Sequence, residues 1–474
     1  MSSRLASRTL RNSVLVVAAR ALAKIAVFLV VVLLWRHLGD ERYGRFAAMV
    51  VYVTLVGVIA DLGLQTIFIR DVSRDRELFR RYLGNLVSAR LALAVVALVV
   101  LAALLRLLSP VLFPYTIAGF VLLVTTSYSS LLRGAFYIRG QLLYEAIAIV
   151  VEALVLLALT LLAIRANATW DVFLWVYTAS YLFTCLFTLA VLRWRWQERI
   201  TPRFDLTLLR RLLLAGLPLA LGFTITTIYA QLDIVLLQVL KNFQVVGWYS
   251  AANKYVDAVA WIPQSAMGAV FPALAMLSRG DQRRLAFAYE KSYKMLAIVA
   301  LPLAVGIAIT AASIVHLTRG FDQSIPALQI LAPSIALLFV NNAFIYTLTA
   351  INRQADFTRL ALATLAVNAI LNLALIPPFG YLGAAVASTL TELALFAGGW
   401  WLLRRHLVAL PIIRSIAPVL ISVAIMGAAV YVARSLTLLL VVPLAVIVYL
   451  GGLIVFRALN AEELSILRAS FTNR

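Results

Sequence analysis

Long apolar runs, separated by short polar stretches, make up most of this chain. Each run has about 20 mostly hydrophobic residues, the length of a helix that crosses the hydrocarbon core of a bilayer. The pattern predicts an all-α polytopic membrane protein with about 14 transmembrane helices. Their approximate limits are 14–36, 46–69, 83–107, 113–132, 142–164, 171–192, 212–240, 248–277, 292–315, 325–349, 359–377, 381–403, 415–433 and 436–456.

The composition agrees with a membrane protein. Of the 474 residues, 64% are hydrophobic and 13% are charged, and the mean hydropathy is +0.98. A soluble domain has about 25% charged residues, and so apolar a chain would lack the polar surface to dissolve. One cysteine, Cys185, excludes an internal disulfide. The sequence contains no P-loop or zinc motif, so we expect no cofactor and no direct use of ATP.

The positive charges predict the orientation. There are 41 Lys and Arg residues against 20 Asp and Glu, and most of the basic ones fall in the N-terminus, the C-terminal tail and every second connection. The positive-inside rule places those segments and both termini in the cytoplasm, so the net charge requires no nucleic-acid partner. We expect a monomer in the cytoplasmic (inner) membrane. The predicted cytoplasmic connections are 70–82, 133–141, 193–211, 278–294, 350–359 and 404–414.

The longest and most basic connection, 193–211, follows the sixth span and is predicted to link two lobes. The N-lobe would be 1–192, the C-lobe 212–403, and 404–474 would hold the last two helices and a cytoplasmic tail. Gly44 and Gly247, 203 residues apart, each lead through an aromatic residue into a new span. Because six spans separate the halves, the lobes would share one orientation and be related by an axis along the membrane normal.

Arg20, Lys24 and Arg90 lie inside predicted spans of the N-lobe, where an ionisable side chain costs about 2.5–3.5 kcal/mol and marks a candidate functional site. Arg20 and Lys24 share one face of the first span, which suits a phosphate or pyrophosphate. The alternative is that both snorkel to the cytoplasmic interface, with Asp61 or Glu152 as structural partners. Arg90, near the inner end of the third span, is a further substrate-binding candidate for which snorkelling is favoured.

Three acidic residues in the second half are candidates for H⁺ or Na⁺ coupling: Asp233, Asp257 and Glu392. The alternatives are a Lys254–Asp257 pair, a solvated Asp233 near the outer mouth, and a cross-helix hydrogen bond for Glu392. Further polar residues expected to face a cavity are Asp61, Glu152, Tyr229, Gln264, Asn368 and Asn372. For the two asparagines, packing between helices is the favoured interpretation, and Asp61 could instead stabilise a local break before Leu62-Gly63.

An ordered set of short strings resembles the MOP exporter superfamily, in its polysaccharide-transporter or lipid-linked oligosaccharide flippase branch. This resemblance implies two pseudo-symmetric six-helix lobes around a central cavity that opens alternately to each side. It also implies a cargo such as an undecaprenyl-pyrophosphate-linked sugar. The strings are Leu38-Gly39-Asp40-Glu41-Arg42-Tyr43-Gly44-Arg45-Phe46, Ala60-Asp61-Leu62-Gly63-Leu64 with Arg70-Asp71, Gly216-Leu217-Pro218, Gln231-Leu232-Asp233, Val246-Gly247-Trp248-Tyr249-Ser250-Ala251-Ala252, and Tyr381-Leu382-Gly383-Ala384-Ala385 with Glu392.

The favoured function is therefore a flippase, and not an enzyme, whose partners are a lipid-linked oligosaccharide of the polyprenyl-pyrophosphate type and membrane lipids. A MATE-like exporter of cationic drugs would use the same acidic residues, but Arg20 and Lys24 would repel its cargo. A peptidoglycan-precursor flippase is a close variant of the first hypothesis. A membrane polysaccharide polymerase or ligase is disfavoured, because such an enzyme needs a long outer catalytic loop.

Overall fold

The computed structural model describes residues 3–198, 200–278, 280, 282–406 and 412–458, and within those ranges the chain is helical with no β-strand. Thirteen helical segments of this part are long and apolar enough to cross a membrane. The predicted fold class is thus confirmed. The helices are α1 (Ser3–Asp61), α2 (Leu64–Arg74), α3 (Phe79–Leu108), α4 (Thr116–Ile138), α5 (Leu142–Arg165), α6 (Val172–Ala190), α7 (Leu206–Leu240), α8 (Phe243–Leu277), α9 (Gln282–Leu317), α10 (Ser324–Ala350), α11 (Gln354–Phe379), α12 (Tyr381–His406), α13 (Ile412–Val432) and α14 (Leu438–Val455).

The first two predicted spans lie in one helical run that bends at a glycine. Within α1, Gly39 has φ 73° and ψ 178°, a backbone conformation that residues other than glycine rarely adopt. The membrane-length segment Leu15–Asp61 therefore contains both the first span and most of the second. This is why thirteen segments accommodate fourteen predicted spans.

The second predicted span is interrupted near its end. Leu62 and Gly63 have positive φ angles of 44° and 74°, and the helix starts again as α2 at Leu64. The break lies directly against α7, since a β-carbon on Gly216 would be 2.5 Å from the carbonyl oxygen of Leu62. Two glycines thus allow the break and α7 to approach backbone to backbone.

The chain divides into two compact units, 1–250 and 251–474. In the first unit, α2, α3, α4 and α7 share a hydrophobic core that includes Phe68, Leu83, Leu131 and Leu212. In the second unit, α13 and α14 pack on each other and on α9, with Val419 and Leu453 in their core. The boundary between the units falls inside α8. The predicted lobe limits and the 193–211 linker stay predictions.

Several helices continue into segments predicted to be loops. Helix α4 runs to Ile138, and α9 already begins at Gln282. In α4 the buried side chains of Leu131, Leu132 and Ala135 extend the apolar face past the predicted end of the span at residue 132, and Arg133 is consequently on a helix. Most of the predicted C-terminal tail and part of 404–414 lie outside the described residues.

Candidate functional site

A cavity of about 320 Å³ lies in the first unit, where four helices meet. Helix α1 contributes one basic residue, α2 an amide and an aliphatic side chain, and α4 and α5 the remaining polar groups. On the predicted topology these are the cytoplasmic ends of the helices. The lining residues are Arg20, Gln65, Ile69, Ser130, Arg133, Tyr137 and Glu145.

A two-point ion pair between Arg133 and Glu145 forms one wall of this cavity. Arg133 donates from Nη2 to Oε1 of Glu145 at 2.5 Å and from Nε to Oε2 at 3.0 Å. The hydroxyl of Tyr137 donates a third hydrogen bond to Oε1, at 3.0 Å. Glu145 is fully buried, whereas Arg133 keeps part of its surface open. No hydrogen bond among the described residues involves Nη1 of Arg133, which leaves this nitrogen available to a ligand.

Arg20, on α1, completes the hydrogen-bond chain. Its Nη2 donates to the Tyr137 hydroxyl at 2.7 Å, so this hydroxyl accepts from Arg20 and donates to Glu145. Lys24, one turn further along α1, is exposed, and within the described ranges it makes no ion pair. The predicted alternative partners of these two cations, Asp61 and Glu152, are engaged elsewhere.

The cavity lining contains two guanidinium groups and one carboxylate, so it carries an excess of positive charge. Arg133 lies five residues before the end of α4, which is about 8 Å inside the helix at 1.5 Å per residue. Guanidinium groups bind phosphate oxygens through paired, charge-assisted hydrogen bonds. The arrangement can therefore hold a phosphate or diphosphate at the edge of the membrane interior.

The sequence pattern pointed to Arg20 but missed Arg133, Tyr137 and Glu145. The predicted cytoplasmic connection 133–141 includes Arg133 and Tyr137, and no sequence feature distinguishes Glu145 from other helix-terminal acids. A signal was present, because Arg133 and Tyr137 are four residues apart on an apolar pattern that continues to Ile138. Their pairing with a residue of the next helix depends on the fold.

Arg90 does not reach the interface. It is fully buried and donates to the carboxylate of Asp61, to the backbone oxygen of Ser127 and, at 3.0 Å, to the Ser127 hydroxyl. Asp61 keeps 27% of its side chain exposed and lines a second cavity of about 360 Å³. The pair fixes the position where α1 ends before the Leu62-Gly63 break. A role of Arg90 in substrate binding stays a prediction.

Two further predicted residues of the first unit accept strong hydrogen bonds. Glu152 on α5 accepts from the Thr184 hydroxyl on α6 at 2.5 Å. Asp233 on α7 is buried and accepts from the Tyr249 hydroxyl on α8 at 2.6 Å, so it is not a solvated residue. Tyr229, one turn before Asp233, is half-buried and also has an interacting partner.

The predicted residues of the second unit lie in different environments. Lys254 and Asp257 form the anticipated i, i+3 pair at 2.9 Å, with 40% and 51% of their side chains exposed. Glu392 on α12 accepts from the Asn341 amide on α10 at 2.7 Å, a cross-helix hydrogen bond. Gln264 is exposed, and its backbone oxygen accepts from Tyr346 at 3.3 Å.

Asn368 and Asn372 are both buried on α11. Asn368 donates to the Thr391 hydroxyl of α12 at 3.3 Å, and Asn372 donates to the backbone oxygen of Asn368 at 2.9 Å. The Asn368 hydrogen bond joins α11 to α12, as expected of a packing residue, whereas the Asn372 hydrogen bond stays within α11. Neither asparagine lines the cavity that contains Arg133.

The thirteen membrane-length helical segments of the described residues indicate a multi-pass membrane protein. Residues 9–278 match the model of the family described as polysaccharide biosynthesis protein, and the chain belongs to this family. This match confirms the polysaccharide branch of the predicted resemblance.

Known proteins of similar sequence and structure fit this assignment. A probable low-salt glycan biosynthesis flippase of Haloferax volcanii is 25% identical over 166 residues, which is 34% of this chain and 35% of that protein. The chain spans about half, or less, of the length of the curated relatives it matches.

Solved structures share the fold across most of the chain. The lipid II flippase MurJ in an inward closed conformation has a TM-score of 0.79 at 12% identity, over 94% of this chain and 99% of that one. An inward-facing multidrug resistance MATE family transporter of the MOP superfamily has a TM-score of 0.64 at 15% identity, over 83% of this chain and 98% of the other. At these identities the likeness concerns the fold alone.

Proposed function

We propose that this protein translocates a lipid-linked oligosaccharide across the cytoplasmic membrane, and that the cavity lined by Arg20 and Arg133 binds the phosphate groups of the lipid carrier. The observation that supports this proposal is that two guanidinium groups and one carboxylate line the same cavity. A diphosphate would supply the negative charge that the cavity lacks. The glycan would remain on the polar side of the phosphate and the polyprenyl chain in the lipid.

The hydrogen-bond chain suggests how the ligand enters. Glu145 holds Arg133 through two of its nitrogens, so the guanidinium plane is fixed before the ligand arrives, and the third nitrogen can bind phosphate without losing the ion pair. Among the described residues Arg20 has one hydrogen-bond partner, Tyr137, and it can exchange this bond for one to a phosphate oxygen. In this mechanism Tyr137 and Glu145 are positioning residues.

The same geometry argues against a cationic cargo. A drug cation in this cavity would face two arginines of like charge, so a MATE-like exporter function is less consistent with the residues present. A peptidoglycan-precursor flippase would use the same phosphate chemistry and differ only in the sugar. Transport assays with glycans of different composition distinguish these two flippase hypotheses.

The energy source belongs to the same proposal. Asp233 and Glu392 each accept a hydrogen bond from a neighbouring helix, so protonation or Na⁺ binding at either carboxylate would change an interhelical contact. Asp257 is exposed and paired within its own helix, which makes it the weakest of the three coupling candidates.

In proteoliposomes, Asp233→Asn or Glu392→Gln should abolish the response of transport to a pH or Na⁺ gradient, and Asp257→Asn should retain it. A normal gradient response in all three variants would leave the membrane potential as the driving force.

The decisive experiment measures binding and flipping of a fluorescent polyprenyl-diphosphate-linked N-acetylglucosamine by purified protein. Arg20→Ala should weaken binding by at least about tenfold, because a hydrogen bond to a charged group contributes about 1.5–3 kcal/mol. Arg133→Lys keeps the charge but loses the paired geometry, so it should bind less well than wild type. Arg106→Gln, which removes an exposed arginine that lies over Phe113, is the control and should bind normally.

A second variant guards against misfolding. Arg133→Gln alone would leave the buried carboxylate of Glu145 unpaired, whereas Arg133→Gln with Glu145→Gln removes both charges together. We expect this double variant to fold and to lose binding of the probe. Normal binding by both Arg20→Ala and the double variant would overturn the proposed phosphate site.

A further inference from the structure

A second basic site lies outside the cavity described above, at the beginning of α7. Leu206, Thr207, Arg210, Arg211 and Leu214 line a surface cavity of about 480 Å³. Leu206, Arg210 and Leu214 follow each other at four-residue intervals and share one face of the helix. On this face the guanidinium of Arg210 lies between the apolar side chains of Leu206 and Leu214, and Arg211 is the next residue along the helix.

The two acids that directly precede α7 in the described sequence are already paired with other arginines. Glu198 accepts from Arg80 at 2.5 Å and also binds Arg139, and Asp205 accepts from Arg81 at 2.7 Å. Arg210 and Arg211 are both exposed, and they make no ion pair within the part of the chain that the structure describes. Two adjacent guanidinium groups are thus left without a counter-charge.

The surroundings place the pair at the level of lipid headgroups. Trp194 and Phe204, in the preceding segment, have 81% and 65% of their surface exposed. Exposed aromatic side chains of this kind anchor membrane proteins at the membrane–water interface. Leu206 and Leu214 are 70% and 62% exposed on the cavity rim. Arg210 and Arg211 also directly precede the predicted span 212–240, on the side where the positive-inside rule places the cytoplasm.

From this arrangement we infer that the beginning of α7 is a binding site for an anionic phospholipid, whose phosphate lies between Arg210 and Arg211 and whose acyl chain lies along Leu206 and Leu214. The paired guanidinium groups match the oxygens of a phosphodiester. The exposed leucines explain why a lipid, and not a free phosphate, is the occupant. This site is separate from the cavity of Arg20 and Arg133 and does not depend on the proposed transport function.

The test is titration of the purified full-length protein with phosphatidylglycerol, followed by native mass spectrometry. Each cation near an anionic lipid surface contributes about fivefold in affinity, so Arg210→Gln with Arg211→Gln should weaken the tightest phosphatidylglycerol site about 30-fold. Arg193→Gln with Arg195→Gln is the matched control, because it removes the same charge from two neighbouring exposed arginines. The control should change the affinity less than about twofold.

Three results would overturn the inference. Equal losses in the two double variants would mean diffuse attraction to the basic surface. Equal binding of phosphatidylcholine would mean that the arginines do not select an anionic headgroup. Complete displacement of phosphatidylglycerol by an equimolar amount of inorganic phosphate would mean that the leucines contribute nothing.

Arg210→Gln alone provides a milder variant, with an expected loss of about fivefold, if the double variant does not fold. Binding of the polyprenyl-diphosphate probe should be unchanged in all of these variants, which separates this site from the transport site.

Discussion

Gly44 and Gly247 form a reciprocal contact in which each glycine lies against the carbonyl oxygen four residues before the other. A β-carbon on Gly44 would be 1.7 Å from the oxygen of Phe243, and one on Gly247 would be 2.2 Å from the oxygen of Asp40. The Asp40 carboxylate adds hydrogen bonds from the Trp248 indole at 3.0 Å and the Gln244 amide at 2.8 Å. The bend of α1 and the beginning of α8 are thereby joined backbone to backbone.

This contact predicts that alanine is not tolerated at either glycine. Gly44→Ala and Gly247→Ala each require the two backbones to separate, and overpacking of this kind costs about 1–3 kcal/mol. The midpoint of thermal unfolding in detergent should fall for both variants. Gly222→Ala is the control, because no atom lies within 4 Å of the added methyl group. Unfolding midpoints equal to that of the control would contradict the close approach.

The buried pair of Arg90 and Asp61 predicts an asymmetric effect on stability. Asp61→Asn leaves a fully buried guanidinium without a counter-charge, and loss of one partner of a buried pair costs about 3–5 kcal/mol. Arg90→Met should cost less, because the Asp61 side chain retains 27% exposure. Chemical unfolding of both single variants and of the double variant measures these costs. The double variant should be more stable than Asp61→Asn alone, and the reverse order would show that the pair does not anchor the end of α1.

The interactions of Asp205 predict that the stability of the fold depends on pH in the acid range. Its carboxylate accepts from the Leu208 backbone at the N-terminus of α7 and from Arg81 at 2.7 Å, and the Arg81 hydrogen bond is the main reason that the pKa of Asp205 is lowered. A carboxylate whose folded pKa is depressed stabilises the fold above its unfolded pKa, about 3.9, and loses this contribution as the pH falls through the folded pKa.

The corresponding measurement compares wild type with Asp205→Asn between pH 3 and pH 7. Asparagine can still cap the helix, so the variant isolates the effect of charge. The thermal stability of wild type should exceed that of Asp205→Asn at pH 6, and the difference should shrink below about pH 4. A difference that stays constant down to pH 3 would mean that the Arg81 interaction does not depend on ionised Asp205.

The predicted topology leads to a test with reporter fusions. Fusions within 193–211 should report a cytoplasmic position, because this connection is the most basic of the chain, and fusions within 165–170 should report an external one. Accessibility of single cysteines in a Cys185→Ala background gives the same information without a large reporter, since Cys185 is the one native cysteine. Two consecutive connections on the same side of the membrane would exclude the fourteen-span arrangement.

Hydropathy alone predicted where the apolar segments lie and in what order, because a bilayer requires about 20 apolar residues for each crossing whatever the neighbouring helices are. Local spacing also determined the Lys254–Asp257 pair, which lies within one helix and needs no other part of the fold. The sequence further indicated that Gly44 and Gly247 occupy equivalent positions. It identified Arg20 from the cost of an unpaired charge in the membrane.

Only the tertiary structure decided which of these residues meet. The sequence predicts a loop position for Arg133, whereas α4 includes it, and its partner Glu145 lies on the next helix, beyond the reach of any local pattern. Arg90 and Asp61, 29 residues apart, pair because α3 packs beside the broken end of α1. Gly44 and Gly247 contact each other, a relation that their matching sequence positions do not imply. Charges on different helices interact according to helix packing and crossing geometry, whereas hydrophobic periodicity records only which residues share one helix face.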